Sequence, residues 1–263
     1  MAKKGGWTAF PYDNSAFVYD GAALKKNWAR LHKGDAEPYP TGATDKAVEE
    51  AWRLYHAGDF EGAYEAGIKA GLDGYNAANK AACIYNNYLE TSDAKKQKAY
   101  EDINARCEEL QAAQKKNANA YYLAAYALGR YGQLIGVAKA LTQGIGGKVS
   151  SALNTALKLE PKHADAHIAL GTFNAEVIEK VGSLIGKLTY GVTKEAAVEN
   201  YDKALKLNPE SAVARTEKAD GLYKLFGDKK MKDVEALYAE AAASEAKDAM
   251  ECLDVEAAKA EME

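Results

Sequence analysis

The sequence predicts an all-α fold, a solenoid of stacked helical hairpins, and three observations lead there. Prolines are scarce: five occur, at Pro11, Pro38, Pro40, Pro161 and Pro209, and the tract 41–160 has none. Good helix formers (Ala, Leu, Glu, Lys) dominate that tract, and no stretch sustains the alternation of a half-buried strand. The third observation is a repeat. ALKLEPKHADA at 156–166 returns as ALKLNPESAVA at 204–214, identical at seven of eleven positions with an offset of 48. A proline that ends one helix a turn before the next Ala-rich helix is the joint between two hairpins.

In chain order, residues 1–40 read as an aromatic N-terminal arm with one short helix near 21–33. Trp7, Phe10, Tyr12, Phe17, Tyr19 and Trp28 are too many aromatics for a disordered tail. They are expected to pack along the first hairpin and cap its open face, or to dock in a neighbouring protomer and make a homo-oligomer. A helical repeat domain follows over 41–263. Its hairpins are expected near 44–71, 76–114, 117–160, 162–208 and 210–244, with a last helix to about 261. Ala156, Leu157 and Leu159, with their repeat mates Ala204, Leu205 and Leu207, are expected to be mostly buried where hairpins touch.

Two segments make the repeat nameable. WRLYHAGDFEGAYEAGIKA (52–70) resembles the centre of a tetratricopeptide repeat (TPR), with a Gly58-Asp59 turn between its helices and the small Ala63 and Ala70 where they touch. KLFGDKKMKDVEALYAEA (224–241) repeats the pattern with Gly227-Asp228, Ala236 and Ala239. The resemblance implies a right-handed α-solenoid in which each hairpin must stack on its neighbours. It also implies a non-catalytic scaffold, gripping a protein or peptide partner on a concave face lined by the first (A) helix of each hairpin.

Repeats of this family run about 34 residues, so a 48-residue spacing adds roughly 14. The additions fall between the A helix and the second (B) helix, as QLIGVAKALTQGIGG (133–147) and SLIGKLTYGVT (183–193). Lengthened A helices of this kind, over about 117–255, resemble the regulator-of-microtubule-dynamics family and the T component associated with TRAP transporters. The second likeness implies an extracytoplasmic subunit that binds a partner protein or an apolar small ligand.

Charge and motifs narrow the chemistry. A net charge of −4 argues against general affinity for nucleic acid or an anionic membrane. No run approaches the roughly 20 apolar residues of a membrane span, so no membrane insertion is expected. Lys3 and Lys4 are not followed by an apolar signal-peptide core. A cytoplasmic location is the expectation, or a periplasmic one if a signal peptide has been removed. Cys83, Cys107 and Cys252 form no C-x-x-C pair and read as packed thiols.

Two Gly-Lys clusters fail as phosphate loops. In GIGGKVS (144–150) Lys148 is followed by Val149 and the leading glycine position is Thr142; in GSLIGKLT (182–189) the glycine spacing is short and Leu188 follows Lys187. His163 and His167 share a helix face, but HADAH lacks the Glu of a zincin motif and no third ligand is evident. No cofactor, metal or enzymatic activity is expected.

Seventeen tyrosines accompany five phenylalanines. Tyr122, Tyr126 and Arg130, at i, i+4 and i+8, form one stripe of an A helix. Asn79 and Asn86 are expected to extend this lining from the preceding hairpin, and His167 and Asn174 from the following one. Such a groove offers flat contact area with polar tips, and Arg130 would pair with a carboxylate. In the competing arrangement the insertions fold over that face, fill it with Leu134, Ile135, Leu184 and Ile185, and leave an internal channel for something apolar.

Overall fold

The computed structural model describes residues 6–262, which fold into helices and connecting turns with no strand among them. Met1–Gly5, which include Lys3 and Lys4, and Glu263 lie outside the described residues. The arm carries α1 (Ala22–Leu31). Five antiparallel hairpins follow: α2 (Asp45–His56) with α3 (Phe60–Lys69), α4 (Tyr75–Tyr88) with α5 (Asp93–Ala113), and α6 (Ala118–Ile135) with α8 (Ile145–Leu159). The last two are α9 (Ala164–Tyr190) with α10 (Lys194–Leu207), and α11 (Ala212–Phe226) with α12 (Met231–Ala242). A short α7 (Val137–Thr142) interrupts the third hairpin, and a single α13 (Ala249–Ala260) ends the chain.

The sequence signals have direct structural counterparts. At the Gly58-Asp59 turn Gly58 takes φ +85°, and the Asp59 side chain accepts the Gly62 N–H to start α3. The left-handed backbone needs glycine, and the carboxylate satisfies an orphan amide of the first turn. Both Leu-x-Pro joints end one helix and cap the next. His163 Nδ1 accepts the Ala166 N–H at 3.1 Å, and Ser211 Oγ, 48 positions on, accepts the Ala214 N–H at 3.1 Å.

Packing within the repeat is uneven. Ala156 and Ala204 are wholly buried, but Leu157, Leu159, Leu205 and Leu207 are only half-buried. The small residue marks the close approach, and the flanking leucines lie at the hairpin edge. Tyr201 of α10 shows how a B helix locks two A helices. Its fully buried ring fits against Gly171 of α9 and Gly221 of α11, where an added Cβ would come within 2.9 Å and 2.5 Å of it.

The solenoid closes on itself. α13 returns to α2, and Ala249 and Leu253 share one core with Trp52, Tyr55 and Trp28. His56 Nδ1 lies 2.7 Å from Asp248 Oδ2, Arg30 donates to Glu251 at 2.6 Å, and Tyr19 donates to the Lys247 carbonyl at 2.6 Å. The arm therefore does more than cap the first hairpin. Trp7 stacks on Tyr85 at 4.2 Å between centroids, Phe17 and Trp28 are buried, and α1 ties both ends of the chain together.

Candidate ligand cavity on the inner face

Closure turns the concave face into a cavity of about 140 Å³. The A helices after the first contribute residues at helical spacing: Lys80, Ile84 and Tyr88 from α4, and Tyr122, Tyr126 and Arg130 from α6. Asp165, Ala169, Thr172 and Glu176 of α9 continue the wall. Glu217 of α11 and Asp254 of α13 complete it, and the first insertion adds an apolar side with Val137, Ala140, Leu141 and Ile145.

The turn after α1 braces the starts of the A helices. The Gly34 carbonyl accepts the Asp165 N–H at 2.9 Å, and Asn119 Nδ2 donates to the Asp35 carbonyl at 3.0 Å. Lys80 Nζ donates to the buried Asp35 carboxylate and lies 3.9 Å from Asp165. Burial works against the Lys80 charge, yet Asp35 and Asp165 outweigh it and hold the ammonium above its ordinary range. Ala36, at φ +49°, is the one non-glycine residue with left-handed backbone among those described.

The polar wall is internally paired. Arg130 donates to Glu217 Oε1 at 3.0 Å and to Gln133 at 3.1 Å, and its guanidinium lies 5.3 Å from the Tyr126 ring centroid. Glu217 Oε2 accepts from Thr172 at 2.8 Å. Asp254 is 4% exposed and accepts from Tyr88. Burial pushes its carboxyl up to about 8, with Glu251 and Asp248 adding to the rise, so near neutral pH it is largely protonated. Burial also pushes Asp165 up to about 6 and Tyr126 up to about 12.

Of the residues picked from sequence, Tyr122, Tyr126 and Arg130 lie together on the cavity wall, with Tyr122 only 8% exposed. The other four lie elsewhere. Asn79 is buried between α4 and α5, donating to Cys107 Sγ at 3.4 Å and accepting from Arg106 at 2.7 Å. Asn86 and Asn174 donate to the carbonyls four residues back, Ala82 and Leu170. His167 is held by Asn200 at 2.8 Å and the Pro161 carbonyl at 3.2 Å. His163, besides capping α9, meets Asn119 Oδ1 at 2.8 Å through Nε2, so its ring is fully engaged in joining α6 to α9.

The reason is helical phase: one residue turns the side chain by about 100°. On α4 the inward stripe runs through Lys80, not Asn79; on α9 it runs through Asp165 and Ala169, not His167. Sequence reading missed Lys80, Tyr88, Asp165, Glu217 and Asp254. One signal was present: a lone Lys80 inside the otherwise small and neutral NAANKAACIYNNY (76–88) is out of place on a solvated face.

The competing arrangement also needs correction. Leu184 and Ile185 point to solvent, at 73% and 56% exposed, and Leu134 packs into the core of the third hairpin instead. α7 and the start of α8 line the cavity in their place.

No protein-family model matches the chain, and no curated protein does. Solved structures do. TTC0263, a thermophilic TPR protein of Thermus thermophilus, superposes with a TM-score of 0.57 at 16% identity, over 83% of this chain and 100% of that one. The fold is that of a tetratricopeptide solenoid. MamA superposes at 0.42 with 17% identity, over 84% of this chain and 99% of that one. YrrB, described as a TPR protein with an unusual peptide-binding site, superposes at 0.41 with 14% identity, over 91% of this chain and 100% of that one. The likeness to TTC0263 reaches the fold and not the finer resemblance to the regulator-of-microtubule-dynamics or TRAP T-component families.

Proposed function

We propose that this chain is a non-catalytic binding protein of tetratricopeptide type, whose inner cavity receives the apolar body of a small ligand. The observation that carries this is the return of α13 to α2, which walls the inner face into a half-open cavity with about 140 Å³ of room. A dry cavity of about 150 Å³ lined by Leu, Ile and Phe takes a benzene-sized molecule, whereas several residues of extended peptide need far more room. The wall divides the work. Val137, Leu141 and Ile145 would hold the apolar body, and Tyr126, Arg130 and Glu217 would meet a polar end.

A second reading, capture of a partner peptide by its terminus, draws on Arg130, which keeps 26% of its side chain accessible beside Glu217. One experiment separates the two. Thermal denaturation is followed with toluene, benzylamine, benzoate and a panel of short peptides. At a hundredfold excess over Kd a ligand stabilises by about 2.7 kcal/mol, a rise of several degrees for a chain of this size. The proposal expects such a rise with toluene or its polar relatives, and its loss in Ala169→Phe, which fills the cavity. No shift with any aromatic probe, together with a peptide-induced rise lost in Arg130→Ala, would replace the first reading with the second.

A further inference from the structure

The surface of the two insertions carries a feature that the cavity does not use. α9 breaks at Gly182, where φ is +80°, and the following turns present Leu184, Ile185 and Leu188 at 73%, 56% and 78% exposure. Among the described residues nine large apolar side chains are exposed, and three of the nine fall within these five positions. Singly exposed apolar residues need no explanation, but a cluster does. The first insertion lies alongside: an added Cβ at Gly146 would come within 2.6 Å of Leu141 and 3.1 Å of Tyr190.

The charge here is one-sided. Segments 131–150 and 181–193 contain Lys139, Lys148 and Lys187 and no Asp or Glu. All three lysines are exposed, and none forms an ion pair among the described residues. With +3 here, the rest of the chain carries −7 against the net −4 of the whole. At physiological salt, fields fade over about 8 Å, so a charged partner meets this local patch and not the average.

We propose that the insertion tips dock the protein on an anionic lipid surface, with Leu184, Ile185 and Leu188 entering the headgroup boundary and the three lysines lying over acidic headgroups. An apolar turn that carries one unpaired lysine, with two more on the neighbouring insertion, fits that interface, and lysine stems can extend their ammonium groups to the headgroups while the leucines stay deeper. A second copy suits the patch less, because a two-fold contact brings two sets of lysines together with no carboxylate of either insertion to offset them. This is attachment to a surface, not spanning: among the described residues no helix is long and apolar enough to cross a membrane. The surface reading does not depend on the cavity having a ligand.

Co-sedimentation of the full chain with vesicles tests it. One set is phosphatidylcholine alone; the other carries about a third phosphatidylserine. Binding to the anionic vesicles is expected, weakening with salt, with little on the neutral ones. Replacing all three lysines by Gln should lower partitioning about fivefold per lysine removed. The triple variant Leu184→Ser, Ile185→Ser, Leu188→Ser should lose binding at least tenfold with an unchanged melting temperature, since the replaced side chains face water. Failure to bind either vesicle, or binding that both variants retain, overturns the proposal. So does a concentration-dependent dimer that the serine variant dissolves, which would assign the patch to a second copy.

Discussion

The buried ionisable groups of the inner wall give the protein a pH signature. Asp254 titrates near 4 in an unfolded chain but at about 8 when buried beside Tyr88. Between those pH values the folded state keeps a proton that the unfolded state gives up, so stability falls as pH rises from about 4 to 8 and levels off above. Burial lowers His32 and His163 to about 4, and these work in the opposite sense, costing stability as pH falls from about 6.5 towards 4. The histidines contribute little above pH 7, and Glu37, which burial also pushes up to about 8, and Asp165, at about 6, share the falling limb with Asp254, so the Asp254 part is read from a substitution at that residue. Asp254→Asn, which keeps a polar partner for Tyr88, should gain melting temperature relative to the parent between pH 5 and pH 8.5. A constant difference across that range would mean that Asp254 is already ionised in the fold. At this scale the sequence was half-legible. Tyr122, Tyr126 and Arg130 share one stripe and one wall, but Asn79 and His167 were chosen by residue type, and a single step of phase took them off the cavity.

At the scale of elements, the hairpin is held where a large side chain meets small ones. Tyr201 is fully buried against Gly171 and Gly221, and its hydroxyl donates to Thr172 Oγ1 at 3.1 Å. Tyr201→Ala should cost about 3–5 kcal/mol, the range for truncating a buried aromatic; Tyr201→Phe should cost about 1 kcal/mol, the worth of one hydrogen bond. Chemical denaturation of both variants checks this, and equal losses would show that the hydroxyl, not the ring, joins α9 to α11. The hairpins themselves were readable because their signals are local: Gly58-Asp59, the two Leu-x-Pro joints and the 48-residue offset all mark positions within a few residues of a real boundary. The direction of the insertions was not. Whether Leu184 faces inward or outward depends on the break at Gly182, and glycine alone does not announce its dihedral angles.

At the scale of the whole molecule, the proposed function rests on closure. The contacts that close the ring join positions about 190 residues apart, such as Tyr55 with Met250 and His56 with Asp248. Closure also depends on a superhelical turn that accumulates hairpin by hairpin. No local motif encodes that sum, so an open groove and a walled cavity were equally compatible with the sequence. The inner cavity, its mixed apolar and charged wall and its small volume all follow from the position of α13. A crystal structure of the full chain grown with toluene tests this most directly. The account predicts α13 seated on α2 with the His56–Asp248 contact intact, and toluene bound beside Leu141, Ile145 and Tyr126. A structure with α13 detached, an open groove and no toluene on the inner face would contradict it.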